Sequence, residues 1–397
     1  MHSGRPVLPT RALLQIGVSA LLAIATSLGA EPPPAAEPPP ADPPPRAATR
    51  TGDWPMFRGD ERLTGVADGA LADSLDVQWR FAAPDSISST AAIVDGSVYV
   101  GCADGSMYAL RLGDGSLRWR YRTEAPIQSS PAVVGSTVWI GDDDGVMHAV
   151  DARSGQRRWT YRTNGPLIAS PNVAQGRVIF GSYDGYLYCL SADDGQLLWR
   201  YETGGRIHGT TGVADGRAWV AGCDAFVHAV EIATGQAVGT WSLEGVSGSA
   251  AAIRDGLVYV GTYEGRFLAI DSRANRVAWT FADPSADQPI LSSAAVDDRL
   301  VIVGSRDRKV RAFDRATGTL RWTFSARGRV DSSPVIAGGR VFVGSGGGFL
   351  YGLDRDTGAE TWSFQSGAPI SASPAVADNR LVIGAEDGTV YCFGPRY

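Results

Sequence analysis

The residues of this chain that could support redox or metal chemistry include four cysteines, Cys102, Cys189, Cys223 and Cys392. No two of them are adjacent and none form a C-x-x-C pair, so the spacing favours neither a zinc site nor a redox dithiol. We expect small, buried strand residues instead. A disulfide between Cys102 and Cys392 is the alternative, which an exported chain would allow.

Histidines and acidic residues offer a second set of ligands. His148 and His228 occupy the same place in two copies of a sequence repeat, two copies apart, so we do not expect them to share a metal ion. The acidic run 142–144 ahead of Gly145 could bind calcium, but acids at a hairpin tip are expected to be solvated. The sequence therefore predicts no catalytic residue, no metal site and no cofactor.

The strongest candidates for binding lie at one position of the repeat where the copies differ. This position holds Ser88, Gln128, Ile168, His208, Gly248, Leu291, Asp331 and Ser371. Arg206 and Arg329 stand two residues ahead of two of these side chains. Because variable loops on a constant scaffold commonly carry binding, we predict a partner-binding set of Gln128, Arg206, His208, Arg329 and Asp331. The alternative is an ordinary polar rim without a ligand.

The scaffold that must position these side chains is a repeat of about forty residues, a period typical of an array or a β-propeller. Its tryptophans are Trp79, Trp119, Trp159, Trp199, Trp279, Trp322 and Trp362, with Gly239 in the vacant place. Strand glycines recur in phase at Gly101, Gly141, Gly181, Gly261, Gly304, Gly344 and Gly384, with Ala221 in the fourth place. The chain therefore contains eight copies of one unit.

Each copy is predicted to contain four short strands. In the second copy these are QSSPAVV, STVWIG, VMHAVD and QRRWTYRT, rich in β-branched and aromatic residues. Asp-Gly pairs such as Asp144-Gly145 separate the second and third strands and suit tight hairpins. Polar turns ending in glycine join the third and fourth strands. Small hydroxyl residues at the start of the innermost strand, such as Ser130 and Thr210, are expected to be packing residues near a crowded axis.

The order of the strands predicts a closed ring. The chain ends at TVYCFGPRY without a tryptophan strand, whereas the strand of Trp79 precedes the first copy. Pairing that strand with the one around Tyr391 would complete the last unit and remove the exposed edges of an open array. We therefore predict an all-β fold, an eight-bladed β-propeller of four-stranded antiparallel blades closed by an N-terminal strand that joins the last blade.

The units resemble the pyrroloquinoline quinone (PQQ)-type β-propeller repeats, which carry the motif A-x-D-x-x-T-G-x-x-x-W. Unit six has the whole motif in AFDRATGTLRW, from Ala312 and Asp314 to Thr317, Gly318 and Trp322. The resemblance covers about four fifths of the chain. It implies a structural girdle of tryptophans docked between blades, formed by Trp79, Trp119, Trp159, Trp199, Trp279, Trp322 and Trp362.

Unit four departs from the pattern. It holds Ala221, Ala225, Gly239 and a shifted Trp241 where the other units have glycine, glycine and tryptophan. Departures from a local sequence pattern occur most often at functional sites or in strained segments, so we expect unit four to contain a functional site or a strained segment. The sequence also carries one insertion, within FADPSADQPI between units five and six.

The residues ahead of the ring predict export. Arg5 and Arg11 precede an apolar stretch and then small residues, so residues 1–30 are predicted to be a signal peptide or an N-terminal anchor. Residues 31–50 are predicted to be a proline-rich linker. No cysteine stands near the cleavage region, which argues against a lipid anchor. We therefore expect the periplasm or cell envelope.

The remaining chain divides into a lead-in segment, residues 51–75, and the propeller, residues 76–397. In the lead-in segment, Trp54 and Phe57 are expected to pack against the side of the ring. The sequence Arg58-Gly59-Asp60 is expected to be accidental as an adhesion signal. The net charge of −6 and the lack of a basic run give no support to a nucleic-acid partner.

The resemblance implies two classes of function. PQQ- and calcium-dependent dehydrogenases of this fold use a bound quinone, an aspartate base and adjacent cysteines, and this chain has no adjacent cysteines. We therefore predict a non-catalytic protein-binding scaffold of the cell envelope, which resembles the propeller subunit of the outer-membrane β-barrel assembly machinery. The expected partner is an envelope or outer-membrane protein, with membrane contact only through an uncleaved leader. A PQQ-dependent dehydrogenase and a secreted propeller with an unknown ligand are the alternatives.

Overall fold

The structure is a computed structural model that describes residues 52–283 and 288–396. The predicted leader and linker, residues 1–50, and most of the insertion lie outside the described residues. The strands form eight sheets, and the innermost strands of neighbouring sheets lie side by side around one axis. The predicted eight-bladed all-β propeller is therefore confirmed. In the described part of the chain, no helix has the length and apolar character needed to cross a membrane.

Each blade has four antiparallel strands, numbered outward from the axis. The first strands of blades 1 to 8 are Ala92–Val94, Ala132–Val134, Asn172–Ala174, Gly212–Ala214, Ala252–Arg254, Ala295–Val296, Val335–Ala337 and Ala375–Ala377. The second strands are Ser97–Cys102, Thr137–Gly141, Arg177–Gly181, Arg217–Ala221, Leu257–Gly261, Leu300–Gly304, Arg340–Gly344 and Arg380–Gly384. The third strands are Ser106–Arg111, Val146–Asp151, Tyr186–Ser191, Phe226–Glu231, Arg266–Asp271, Lys309–Asp314, Phe349–Asp354 and Thr389–Pro395. The fourth strands of blades 1 to 7 are Leu117–Arg122, Arg157–Arg162, Leu197–Glu202, Ala237–Ser242, Arg276–Ala282, Leu320–Ser325 and Glu360–Gln365, and blade 8 takes Leu75–Ala82.

The strand at the start of the ring closes it. Leu75–Ala82 pairs antiparallel with Thr389–Pro395, in a register that sets Arg80 opposite Tyr391. Blade 8 therefore takes its outermost strand from one end of the propeller sequence and its three inner strands from the other, as the sequence predicts. The closing strand also bonds to blade 7, because the indole N–H of Trp362 donates to the carbonyl of Leu75 at 3.1 Å.

Seven tryptophans connect consecutive blades around the ring. Each indole N–H donates to a backbone carbonyl of the next blade, in the pairs Trp79 to Leu112, Trp119 to Ala152, Trp159 to Ala192, Trp199 to Ile232, Trp279 to Arg315, Trp322 to Arg355 and Trp362 to Leu75. For six of these tryptophans, all except Trp362, a turn glycine of the next blade covers the indole ring. Gly358, for example, has φ +73°, and a Cβ there would lie 2.5 Å from the ring of Trp322. The T-G-x-x-x-W motif thus places a glycine of one blade on the tryptophan of the blade before it.

Blade 4 keeps the same packing with different residues. The strand glycine of other blades faces an Ile, Leu or Val of the next blade, and a Cβ at Gly181 would lie only 2.1 Å from Ile207. In blade 4 the glycine is replaced by Ala221, and the residue at the matching place of the next blade is the smaller Ser247. The missing tryptophan at Gly239 is replaced by Trp241, whose ring lies over Gly239 and 5.2 Å from the ring of Trp219. The irregularities of this unit therefore have a packing explanation.

The lead-in segment, residues 52–74 in the structure, runs across one mouth of the ring. It forms backbone hydrogen bonds to six innermost strands, in the pairs Trp54 to Ile93, Pro55 to Val133, Glu61 to Val213, Arg62 to Ile253, Thr64 to Val296 and Gly65 to Ile336. The side chains of Asn172 and Asn379 bond to its backbone from blades 3 and 8, and its strand Val66–Ala67 adds a parallel fifth strand to blade 7. The segment thus bonds to all eight blades at the mouth opposite the Asp-Gly hairpins. The expected packing of Trp54 and Phe57 on the side of the ring is wrong.

Arg58 lies at the centre of this closure. It is fully buried, its Nη2 donates to the carbonyl of Ala294 at 3.0 Å, and burial lowers its pKa to about 9. A Cβ at Gly65 would lie 1.8 Å from Nη2 of Arg58, so only glycine allows the chain to fold back over the guanidinium. The Arg-Gly-Asp sequence is therefore part of the closure, and its arginine is inaccessible to a receptor.

The hydroxyl residues at the axis form a circular chain of hydrogen bonds. The hydroxyl oxygen of each accepts from the backbone N–H of its counterpart in the preceding blade, in the order Ala250 to Ser293, Ser333, Ser373, Thr90, Ser130, Ser170 and Thr210. These residues were expected only to pack, and they also satisfy backbone donors where the innermost strands meet. The chain is open between Thr210 and Ala250, because alanine has no hydroxyl to accept from Thr210.

Ala250→Ser is expected to close this circle and to raise the free energy of unfolding by about 0.5–1.5 kcal/mol, the usual net value of one buried hydrogen bond. Equilibrium denaturation in urea measures the change. Ala251→Ser is the control, because the corresponding Thr211 has a buried hydroxyl without a hydrogen-bond partner among the described residues. Equal effects of the two substitutions, or destabilisation by Ala250→Ser, would contradict the assignment.

Candidate functional site

The other mouth of the ring opens into a small axial cavity of about 220 Å³. Its walls are the variable position of all eight blades and, one step deeper, the hydroxyl circle. Phe57 is the lead-in residue that lines it. Because the lead-in segment bonds to the far halves of the innermost strands, Phe57 forms the floor and the cavity opens only on the face of the Asp-Gly hairpins.

The structure brings three of the predicted binding residues to this cavity and sets the other two beside it. Gln128, His208 and Asp331 line the wall. Arg206 and Arg329 lie two residues earlier, in the loops that enter blades 4 and 7. The five residues therefore share one face of the ring, which we call the hairpin face: the eight hairpins between second and third strands, four of which carry an Asp-Gly pair, together with the loops that enter each first strand.

Gln128 is held by a neighbouring acid. Its amide nitrogen donates to the Oδ2 of Asp143 at 2.7 Å. Burial raises the pKa of Asp143, and the Gln128 hydrogen bond opposes that rise. The other carboxylate oxygen of Asp143 is buried and has no hydrogen-bond partner among the described residues. This pair leaves the side-chain oxygen of Gln128 as an acceptor on the cavity wall.

His208 is fixed by aromatic and cationic neighbours. Its Nδ1 lies 2.5 Å from the hydroxyl of Tyr183, and the guanidinium of Arg206 lies over the Tyr183 ring at 5.7 Å. Burial, and then the charge of Arg306, lowers the pKa of His208. The imidazole is therefore neutral at neutral pH, and a Tyr183 hydroxyl that donates to Nδ1 leaves the proton on Nε2.

Asp331 is neutralised by two arginines. The Nε of Arg306 donates to its Oδ1 at 2.8 Å, and the Nε of Arg329 lies 2.9 Å from its Oδ2. Arg306 comes from the hairpin of blade 6, and Arg329 from the loop that enters blade 7. This carboxylate is thus committed to ion pairs within the protein, which makes it a poor candidate for a catalytic base.

A second variable position, which the sequence analysis does not single out, lies at the tips of the hairpins. This position stands two residues after the strand glycine, or after Ala221 in blade 4. From blade 1 to blade 8 it holds Ala103, Asp143, Tyr183, Cys223, Tyr263, Arg306, Gly346 and Glu386. The backbone N–H of each one donates to a carbonyl of the loop that enters the first strand of its own blade, as Tyr183 does to Pro166 at 3.0 Å. The signal was available, because this position lies two residues after the strand glycine and varies as strongly as the position of His208.

The remaining candidates have structural surroundings. His148 lies 3.0 Å from the Tyr121 hydroxyl and 2.9 Å from the carboxylate of Asp142, and His228 has the same contacts with Tyr201 and Asp224. Asp142 is buried, so the expectation that the acidic run is solvated is wrong for its first member. Its Oδ1 accepts from the backbone N–H of Val146 and its Oδ2 faces His148.

All four cysteines are free, so the alternative disulfide is absent. Cys102, Cys189 and Cys392 are buried in strands, as expected, whereas the expectation is wrong for Cys223, which is half-buried at a hairpin tip. Burial raises the pKa of the Cys392 thiol to about 12, which makes this thiol inert as a nucleophile at neutral pH.

The lining of the cavity lacks the ligands that a calcium-bound quinone requires. Calcium takes about six to eight oxygen ligands, mostly from carboxylates and carbonyls. Of the described residues that line the cavity, Asp331 alone has a carboxylate, and its charge is already paired with two arginines. The described residues contain no group of three or more His, Cys, Asp or Glu side chains placed to hold a metal ion. The residues present do not fit such a cofactor.

Comparison with solved structures shows the same fold in proteins of different function. BamB from Moraxella catarrhalis is 22% identical with a TM-score of 0.69, over 82% of this chain and 98% of that one. A quinohemoprotein alcohol dehydrogenase from Comamonas testosteroni is 15% identical with a TM-score of 0.76, over 88% of this chain and 82% of that one. A europium-containing methanol dehydrogenase is 13% identical with a TM-score of 0.73, over 87% of this chain and 98% of that one. At these identities the likeness shows the fold alone.

Comparison of sequences identifies the family. No curated protein sequence matches the chain. The family model described as outer membrane protein assembly factor BamB, a PQQ-type repeat, matches residues 122–207, 143–254, 223–334 and 306–394. These matches overlap and together run from residue 122 to residue 394, which is more than half of the chain. The chain therefore belongs to the BamB-type family of PQQ-like repeat propellers.

Proposed function

We propose that this protein is a non-catalytic protein-binding scaffold of the cell envelope that holds a partner on its hairpin face. The observation that supports this proposal is the distribution of variation in the repeat. Positions that recur from blade to blade are used in packing, in the tryptophan docking and in the hydroxyl circle. Two positions that vary strongly from blade to blade, those of His208 and Tyr183, both belong to the hairpin face, and the second of them includes Tyr and Arg side chains of the kind that dominate protein interfaces.

The family membership supports the kind of partner. BamB is described as an outer membrane protein assembly factor. We therefore propose that the partner is an envelope or outer-membrane protein, with a component of β-barrel assembly as the first candidate. The apolar leader of the sequence supports delivery to the periplasm. A secreted propeller that binds another ligand on the same face is the alternative.

The dehydrogenase alternative predicts a different result. The solved quinoprotein dehydrogenases share the fold, but function resides in sites built on a fold and not in the fold itself. We expect the purified protein, incubated with PQQ and Ca²⁺, to show no quinone absorption after gel filtration and no alcohol-dependent dye reduction. Clear turnover would overturn the scaffold proposal.

Site-specific photo-crosslinking in intact cells tests the proposal directly. A photoreactive residue replaces Arg206 or Leu291 on the hairpin face, or the exposed Arg153 on the opposite face as the matched control. We expect one envelope protein to be captured from the hairpin face and not from Arg153. Capture from the opposite face only, or from neither face, would contradict the proposal.

A further inference from the structure

Four arginines form a basic patch on the hairpin face of blades 6 and 7: Arg306 and Arg308 in one hairpin, and Arg327 and Arg329 in the adjoining loop. They are contiguous. The backbone N–H of Ala326 donates to the carbonyl of Arg308 at 2.8 Å, and Arg306 and Arg329 meet at the carboxylate of Asp331. Arg308, Arg327 and Arg329 are exposed.

The basic patch has an excess of positive charge. Asp331 neutralises one of its four guanidinium charges. The nearby acids Asp283 and Asp307 face Arg311 and Lys309 and balance those two cations. Neither Arg308 nor Arg327 makes an ion pair with a described residue, and Arg327 stacks over the Phe349 ring at 4.9 Å. In a chain of net charge −6, a local excess of cations is a departure from the general surface.

Arg308 occupies a backbone position that is unfavourable for arginine. Its φ is +69°, in the left-handed region. The other hairpins have glycine at this place, except for Ala225 in blade 4. An exposed arginine in a strained conformation, where glycine would be unstrained and where no ion pair compensates, is better explained by binding than by folding.

The neighbouring hairpin leaves room for a partner. In blade 7 the tip is Gly346, Gly347 and Gly348. The N–H of Gly346 donates to the carbonyl of Arg329, and a Cβ at Gly347 would lie 1.8 Å from the carbonyl oxygen of Arg327. The glycines thus allow the arginine loop to pack tightly against the hairpin, and they present backbone without side chains beside the guanidinium groups.

The three blades that follow the basic patch around the ring carry the opposite charge on the hairpin face. The hairpins and entering loops of blades 8, 1 and 2 contain Asp85, Asp104, Glu124, Asp142, Asp143, Asp144, Glu386 and Asp387 and no lysine or arginine. A face that is basic on one side and acidic on the other orients an approaching protein, because only one orientation pairs unlike charges.

We infer that the basic patch is the docking site for an acidic segment of the partner protein, seated across blades 6 and 7 with its carboxylates on Arg308 and Arg327. This inference rests on the proposed scaffold function and adds the chemistry and the place of the contact. Guanidinium groups bind carboxylates through paired N–H donors, so a segment rich in Glu or Asp is the matching surface.

Binding of a defined probe tests the inference. The probes are a fluorescein-labelled glutamate-rich peptide and the same peptide with every Glu replaced by Gln, measured by fluorescence anisotropy on the full chain. We expect binding of the acidic peptide only, weakened by salt. The double variant R308E/R327E is expected to lower its affinity about tenfold, because two attractions become repulsions. The control R153E/R273E makes the same charge change on the opposite face, and an equal loss there would overturn the inference.

Arg308→Gly separates binding from folding. We expect it to weaken peptide binding while the Tm stays level or rises, since glycine relieves the positive φ. A lower Tm would show that Arg308 serves the fold and would overturn the inference.

Crosslinking from Leu291 in the R308E/R327E background separates the proposed basic patch from the proposed scaffold function. Unchanged capture of the partner contradicts the basic patch and leaves the scaffold, whereas loss of capture only in this background supports both.

Discussion

Trp322→Ala is expected to lower the free energy of unfolding by about 3–5 kcal/mol, the usual cost of deleting a large buried aromatic ring. Trp322 is 8% exposed, lies in the core between blades 6 and 7, and donates to the carbonyl of Arg355 at 2.8 Å. The substitution removes the contacts of the indole ring between the two blades. It also leaves the carbonyl of Arg355 without this hydrogen bond and Gly358 without the ring that lies against it. Equilibrium denaturation in urea measures the effect.

Leu320→Ala is the matched control for this variant. Leu320 lies on the same strand but is 44% exposed, so we expect a change within about 0.5 kcal/mol. If Trp322→Ala also left the denaturation midpoint unchanged, the tryptophan would not hold the two blades together, and the girdle that the repeat motif implies would be refuted for this position.

Arg311→Met is expected to lower the free energy of unfolding by about 3–5 kcal/mol, because it removes the guanidinium that is hydrogen-bonded to the buried carboxylate of Asp307 and leaves only the more distant Lys309 Nζ, at 3.9 Å, as a cation. Arg311 is buried in the third strand of blade 6 and forms ion pairs with Asp307 and Asp283. Methionine keeps a similar length and removes the charge. Thermal and urea denaturation at neutral pH measure the loss.

Arg311→Tyr should recover a large part of that loss. Tyr108 and Tyr188 occupy the same place in blades 1 and 3, and each donates its hydroxyl to the hairpin aspartate four residues earlier at 2.7 Å. Tyrosine at position 311 can therefore satisfy Asp307 in the way that the repeat already uses. Equal destabilisation by methionine and tyrosine would contradict the view that the unpaired aspartate causes the loss.

The fold is shared by assembly factors and by quinoprotein dehydrogenases, so the difference between them must lie in what the axis and the faces contain. In this chain the lead-in segment closes one mouth, and Phe57 limits the depth of the cavity. Ligand pockets for small molecules usually have about 300–1,000 Å³, and the axial cavity has about 220 Å³. The space available therefore favours contact with a surface on the hairpin face over enclosure of a large cofactor.

The sequence determined the propeller because the information for it is local and repeated. The forty-residue period, the hairpin Asp-Gly pairs and the strand pattern each concern residues close in the chain. Because the same signals occur in eight copies, each copy supports the same assignment of strands and turns. The displaced Trp79 strand was enough to predict the closing pair with Tyr391. The variable position of Gln128, His208 and Asp331 was also readable, since variation stands out against a periodic background.

The tertiary structure alone decided the path of the lead-in segment, the burial of Arg58 and Asp142, and the pairing of Asp331 with Arg306 and Arg329. None of these contacts has a periodic signal, because each joins residues that are distant in the chain or that occur once. The lead-in segment has no copy with which to compare it, and its partners are spread over all eight blades. Sequence periodicity reports which residues are equivalent, whereas the charge and access of a site depend on which non-equivalent residues the ring brings together.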